Sequence, residues 1–160
     1  MEKRIEFPLF ELTVIIVLLL VLVVFSFPKF IEVGIEARIR ALHATVLNLK
    51  AVNRLLYSRT LIAGREKSIL QDAGFLDESD DGTYLVYGEL RAQKNDVRHF
   101  LESDSLAYSK TKNTEILRLY LDQYKTPDCY IDYQQATGKV MLDGKYAIQR
   151  ASYTVKTTGC

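Results

Sequence analysis

Between Leu12 and Phe27 the chain carries no charge, and Thr13 and Ser26 hold the only polar side-chain atoms in that run. Phe7, Leu9, Phe10 and Phe30 lengthen the apolar stretch at its two ends. At about 1.5 Å of rise per helical residue, residues 8–30 can cross a hydrocarbon core roughly 30 Å thick. The reading is a membrane segment over 7–28. Glu11 is its one charged residue. A carboxylate in such a segment costs on the order of 3 kcal/mol at mid-depth and less near an end, so Glu11 is expected to meet a cation. Pro28 closes the run and has no amide proton to donate, which predicts a bend or an interruption there.

Lys3 and Arg4 precede the apolar run, as in the short basic region ahead of an insertion signal, and no small-x-small cleavage site follows it. A short basic tail stays inside while a long C-terminal domain crosses, which places the chain after about residue 30 outside the cytoplasm. Of 160 residues, 21 are basic and 20 acidic, a balance that gives no reason to expect nucleic acid or an acidic substrate. Cys129 and Cys160 are the only cysteines. In an oxidising compartment such a pair reads as a disulfide, worth at most about 3.6 kcal/mol by chain entropy.

Ile35, Ile39, Leu42, Val46, Leu49, Val52 and Leu56 recur every three or four residues, which predicts an amphipathic helix over 29–57. The pattern extends towards Ile62 and Ala63 before Gly64 breaks it, and 58–82 reads as a connection ending in the acidic turn Asp77 to Gly82. Thr83 to Leu90 reads as extended. Residues 114–124 predict a short helix behind a Thr114 cap. Alternation over 129–134, 140–142, 146–148 and 153–155 predicts an antiparallel sheet of three or four strands, with turns at Ala136 to Lys139 and at Asp143-Gly144. The fold class is therefore α+β.

A basic leader, Phe7, Glu11 four residues later, an unbroken apolar run, Pro28, and an amphipathic helix leading to a sheet with a C-terminal cysteine pair together resemble a type IV pilin. The segment Phe7-Pro8-Leu9-Phe10-Glu11-Leu12 stands where that family usually shows Phe-Thr-Leu-Ile-Glu-Leu. Pro28-Lys29-Phe30 with Ala37-Arg38 is most similar to the MSHA-type (mannose-sensitive haemagglutinin) pilins and their minor subunits. The resemblance is specific over residues 1 to about 64. It implies a leader, 1–6, removed by a prepilin peptidase between Glu6 and Phe7, an N-methylated Phe7, a filament-core helix over 7–28, and a periplasmic head over 29–160. It further implies that Glu11 pairs with the α-ammonium of Phe7 in a neighbouring subunit.

The implied partners are other pilin subunits, the inner membrane, the peptidase and the pilus assembly machinery, and the implied locations are the inner membrane and an extracellular pilus. Glu6 stands where the family usually has Gly, Pro8 where it has Thr, and Leu20 where many members have Gly. If residues 1–6 remain, Glu11 must turn to Lys3, Arg4 or another subunit's cation. Two alternatives stay open: a type II secretion pseudopilin, and a membrane-anchored periplasmic binding domain that never polymerises.

No serine or cysteine sits in a nucleophile motif, no glycine loop has phosphate-binding spacing, and His43 and His99 are far apart in sequence. Neither catalysis nor a metal or cofactor is expected. Asp77, Ser79, Asp81 and Gly82 fit the opening of an EF-hand loop, but Gly88 stands where its closing glutamate belongs, which favours a solvated turn. The tyrosines between Tyr120 and Tyr153 read as half-buried packing on a small sheet, with an adhesive face as the alternative.

Overall fold

A computed structural model describes residues 9–75, 82–101, 106–121, 125–140 and 146–160. The chain divides into two compact units, residues up to Ala37 and Arg38–Cys160. Helix α1, Leu9–Ile62, contributes to both. It stays helical through position 28, so Pro28 does not interrupt it. The second unit starts nine residues later than the expected head, because the first α1 side chain buried in its core is Leu42. The predicted leader, residues 1–6, and Phe7 lie outside the described residues.

Within the second unit, α1 buries Leu42, Val46, Leu49, Asn53, Leu56 and Thr60. The spacing of four and three keeps all six on one face of a 3.6-residue helix. The helix ends in a Schellman motif. Gly64, at φ +68°, takes the left-handed turn, while Arg65 N–H donates to Thr60 O at 2.9 Å and Gly64 N–H to Leu61 O at 3.0 Å. Gly64 was expected as the breaker, and capping is how it acts.

Two short antiparallel ladders follow. Strands β1 (Gln71–Asp72), β2 (Tyr84–Val86) and β3 (Glu89–Leu90) form one sheet in that order. Tyr87 and Gly88 link β2 to β3 with φ of 51° and 78°, as a tight primed hairpin turn requires. The expected extension over Thr83 to Leu90 is thus a hairpin, and most of the acidic turn before it lies outside the described residues. Helix α2, Lys94–Leu101, comes next and buries Asp96 and Val97.

The main sheet is antiparallel, with four strands in the order β4 (Ala107–Lys110), β5 (Ile116–Tyr120), β6 (Tyr130–Gln134) and β9 (Ser152–Lys156). The helix expected over 114–124 is therefore wrong: strand β5 occupies its centre. Leu117 and Leu119 are buried while Ile116, Arg118 and Tyr120 are half-buried, a period of two that belongs to a strand with one face on a core. Thr114 caps nothing, because residues 111–116 are a tight turn. Thr111 Oγ1 donates to the carbonyls of Asn113 and Ile116, and Ile116 N–H donates to Asn113 O.

Strands β7 (Thr137–Val140) and β8 (Tyr146–Gln149) form a separate two-stranded ladder. The turn expected over Ala136 to Lys139 is a second correction, since Thr137, Gly138 and Lys139 pair with Gln149, Ile148 and Ala147. The expected Asp143-Gly144 turn lies outside the described residues.

The main core joins α1 to the hairpin, α2 and the four-stranded sheet, while Val86, Tyr87 and Ala136 form a smaller cluster against which Ile148 of β8 packs. Leu42, Leu49 and Leu56 of α1 share a cluster with Leu85, Leu90, Val97, Leu117, Leu119, Ile131 and Tyr133, each at most 1% exposed. Burying a Leu or Ile side chain is worth about 1.5–3 kcal/mol, so the leucine face of α1 is a main support of the sheet. On the sheet's other face, Arg118 Nε and Nη2 grip Asp132 at 2.7 and 2.8 Å, and the guanidinium lies 3.7 Å from the Tyr130 ring centre. The hydrogen bond to Asp132 raises the Arg118 pKa further, fixing the charge in place. These tyrosines pack as expected: Tyr133 is buried, and Tyr120, Tyr130 and Tyr153 are half-buried.

Candidate functional site

From Leu9 to Ser26 every side chain of α1 is exposed, including Leu9 at 80% and Phe25 at 75%. A helix that is apolar all round and covered on no side is stable only in lipid or against other apolar helices. This is one helix long and apolar enough to cross a membrane. Eighteen residues span about 27 Å, close to a hydrocarbon core.

Glu11 sits exposed in the first turn of that helix, where the macrodipole favours a negative side chain. Among the described residues it has no ion-pair partner. A carboxylate carried into a low-dielectric setting without a cation costs several kcal/mol, so Glu11 marks the place where the apolar surface is incomplete. Glu6 and Phe7, the residues expected at a processed N-terminus, fall outside the described region, as do Lys3 and Arg4. Pro28 lies in the same helix, two residues beyond the apolar window.

Cys129 and Cys160 are joined, with Cα atoms 4.8 Å apart across a separation of 31 residues. The bond ties the chain after β9 to the start of β6. Gly159 N–H donates to Asp128 O at 2.9 Å, and Arg38 Nη1 of α1 donates to the Cys160 carbonyl at 3.5 Å. Lys156 pairs with Asp128 at 2.7 Å, which raises the lysine pKa.

Comparison with known proteins returned no match, whether to a family model, a curated protein or a solved structure.

Sequence reasoning passed over the residue that organises the second unit. Asn53 is 2% exposed on the core face of α1. Its amide donates to the hydroxyls of Tyr133 at 3.1 Å and Tyr153 at 2.6 Å, and its carbonyl oxygen accepts from Leu90 N–H at 2.9 Å. The Tyr133 hydroxyl in turn donates to Leu90 O at 2.6 Å. One side chain thus joins helix, hairpin and main sheet. Burial pushes the Tyr133 phenol well above its ordinary pKa and raises that of Tyr153. The signal was legible as a polar residue four places before Tyr57 and seven after Val46, in register with the buried face.

Two buried carboxylates complete the polar framework. Glu89 accepts from Arg150 Nε at 2.7 Å and Ala151 N–H at 2.6 Å. Asp96 accepts from Arg91 Nε at 2.7 Å and Tyr84 N–H at 3.4 Å. His43 is exposed on α1, and His99 on α2 sets its ring edge-on to Phe100 at 5.1 Å. Among the described residues no three His, Cys, Asp or Glu side chains converge on a point that would hold a metal ion.

Proposed function

We propose that the chain is a structural subunit of a type IV pilus-like filament, similar to the MSHA-type pilins or their minor subunits. It waits in the inner membrane with the second unit in the periplasm, then enters a filament whose core is a bundle of the apolar helices. The observation that supports this most is the surface from Leu9 to Phe25, exposed all round and marked at its start by one carboxylate with no ion-pair partner among the described residues. Extraction exchanges lipid for neighbouring apolar helices, so the same surface serves both states. The α-ammonium of a neighbouring Phe7 would neutralise Glu11 and set the axial register between subunits.

Intact-mass measurement on protein from native membranes tests the reading. Loss of residues 1–6 with one added methyl group is expected. A full-length, unmethylated chain confined to the membrane fraction would instead favour a fixed anchor for a periplasmic binding domain.

A further inference from the structure

Beside the Asn53 network, the second unit has an open cleft of about 290 Å³ lined by Lys50, Asn53, Arg54, Glu89, Arg150 and Tyr153. Three of these side chains are cationic and one is anionic. The single anion is already committed: one Glu89 oxygen accepts from Arg150 and the other from Ala151 N–H. Arg150 is fixed further by lying 3.6 Å from the Tyr57 ring centre. Two positive charges therefore remain uncompensated. Lys50 has only the face of the Tyr153 ring, 5.5 Å away, and Arg54 has no hydrogen bond or ion pair among the described residues.

We propose that this cleft binds an oxyanion: a carboxylate, sulfate or phosphate group held by Lys50, Arg54 and the Tyr153 hydroxyl. Every uncommitted polar group there is a donor. The Tyr153 oxygen accepts from Asn53 at 2.6 Å, while its own proton has no acceptor among the described residues. Lysine offers three N–H donors and arginine a planar fork matched to two oxygens. Lys50 and Arg54 also stand one turn apart on α1, a like-charge spacing that destabilises a helix and that a bound anion relieves. The floor is preorganised, because Asn53 fixes the Tyr153 ring and the Glu89–Arg150 pair fixes the opposite wall. The site does not depend on the chain forming a filament.

The test is a titration of the full chain in nonionic micelles, followed by amide NMR at constant ionic strength, with inorganic phosphate, sulfate and galacturonate in separate arms. Saturable shifts at Lys50, Arg54, Ala151 and Tyr153, half-complete at about 1–10 mM, are expected for at least one ligand. A tighter galacturonate arm assigns the site to a sugar carboxylate, and a tighter phosphate or sulfate arm to a tetrahedral anion. The double substitution Lys50→Gln with Arg54→Gln, both on the exposed helix face, should weaken binding about tenfold. Lys110→Gln, on an exposed residue of β4, should leave it unchanged. Shifts that grow linearly without saturation in all three arms, or saturable binding that survives the double substitution, overturn the proposal.

Discussion

Asn53→Ala is the sharpest perturbation of the second unit. The substitution removes an acceptor from Leu90 N–H and a donor from the Tyr133 and Tyr153 hydroxyls. Leu90 is fully buried, so no water replaces the lost acceptor, and an orphaned buried amide costs about 1–3 kcal/mol. The two phenol contacts add about 1 kcal/mol each. Tyr133 loses less than Tyr153, because its own proton still reaches Leu90 O at 2.6 Å. The sum is about 3–5 kcal/mol, a large share of the stability of a domain this size. The melting temperature should fall by about 10–20 °C.

Equilibrium urea unfolding of the full chain in nonionic micelles, read by the near-ultraviolet tyrosine signal, measures the loss. Tyr153→Phe alone should cost about 1 kcal/mol, and its effect should shrink when Asn53 is already Ala, giving a coupling of at least about 0.5 kcal/mol. A loss below about 1 kcal/mol for Asn53→Ala, or strict additivity in the cycle, would refute the role of this side chain as the joint between helix, hairpin and sheet.

Gly88→Ala should destabilise by at least about 2 kcal/mol, since a β-carbon at φ +78° meets Thr60 Oγ1 and the Tyr57 ring; thermal melts check it. Reducing the Cys129–Cys160 bond should lower stability by up to about 3.6 kcal/mol without changing the far-ultraviolet spectrum at low temperature, and a melt with and without dithiothreitol measures this. Raised phenol pKa values make the folded state hold protons that the unfolded chain releases, so stability from Tyr133 and Tyr153 is fully present below about pH 10 and is lost as pH rises beyond it. Melting temperatures between pH 8 and 11 should therefore be flat and then fall, the fall being shallower in Tyr153→Phe.

The parts of the molecule written in periodicity were readable from residues alone. The apolar run and the stripe Leu42, Val46, Leu49 and Leu56 announce α1 because a helix needs only its own 3.6-residue repeat. Strands β6, β8 and β9 were legible from their alternation, strand β7 reads as a turn from its residues alone, and the disulfide was legible from there being only two cysteines. Strand β5 was not, because Ile-Leu-Arg-Leu-Tyr satisfies a helical face as easily as a pleated one. Only its partners, Tyr108 and Ser109 on one side and Asp132 and Tyr133 on the other, decide for the strand. Asn53 was missed for the same reason in reverse: a lone asparagine reads as solvated until the tyrosines that arrive 80 and 100 residues later give it hydrogen bonds. Of the expected assembly residues, Glu11 alone is described in the N-terminal apolar turn, where it is exposed. In the proposed filament its cation would come from a neighbouring chain.

Incorporation of Glu11→Ala into surface filaments is therefore the decisive measurement. Cells producing the variant beside the wild type are sheared, and the ratio of the two chains in the filament fraction is compared with that in the membrane by quantitative mass spectrometry. In the proposed filament, removing the carboxylate would leave a neighbour's ammonium unpaired in an apolar core, so the variant should be depleted at least about tenfold from filaments while its membrane level and disulfide stay normal. Equal proportions in the two fractions, or the absence of the wild-type chain from any sheared fibre, would contradict the account.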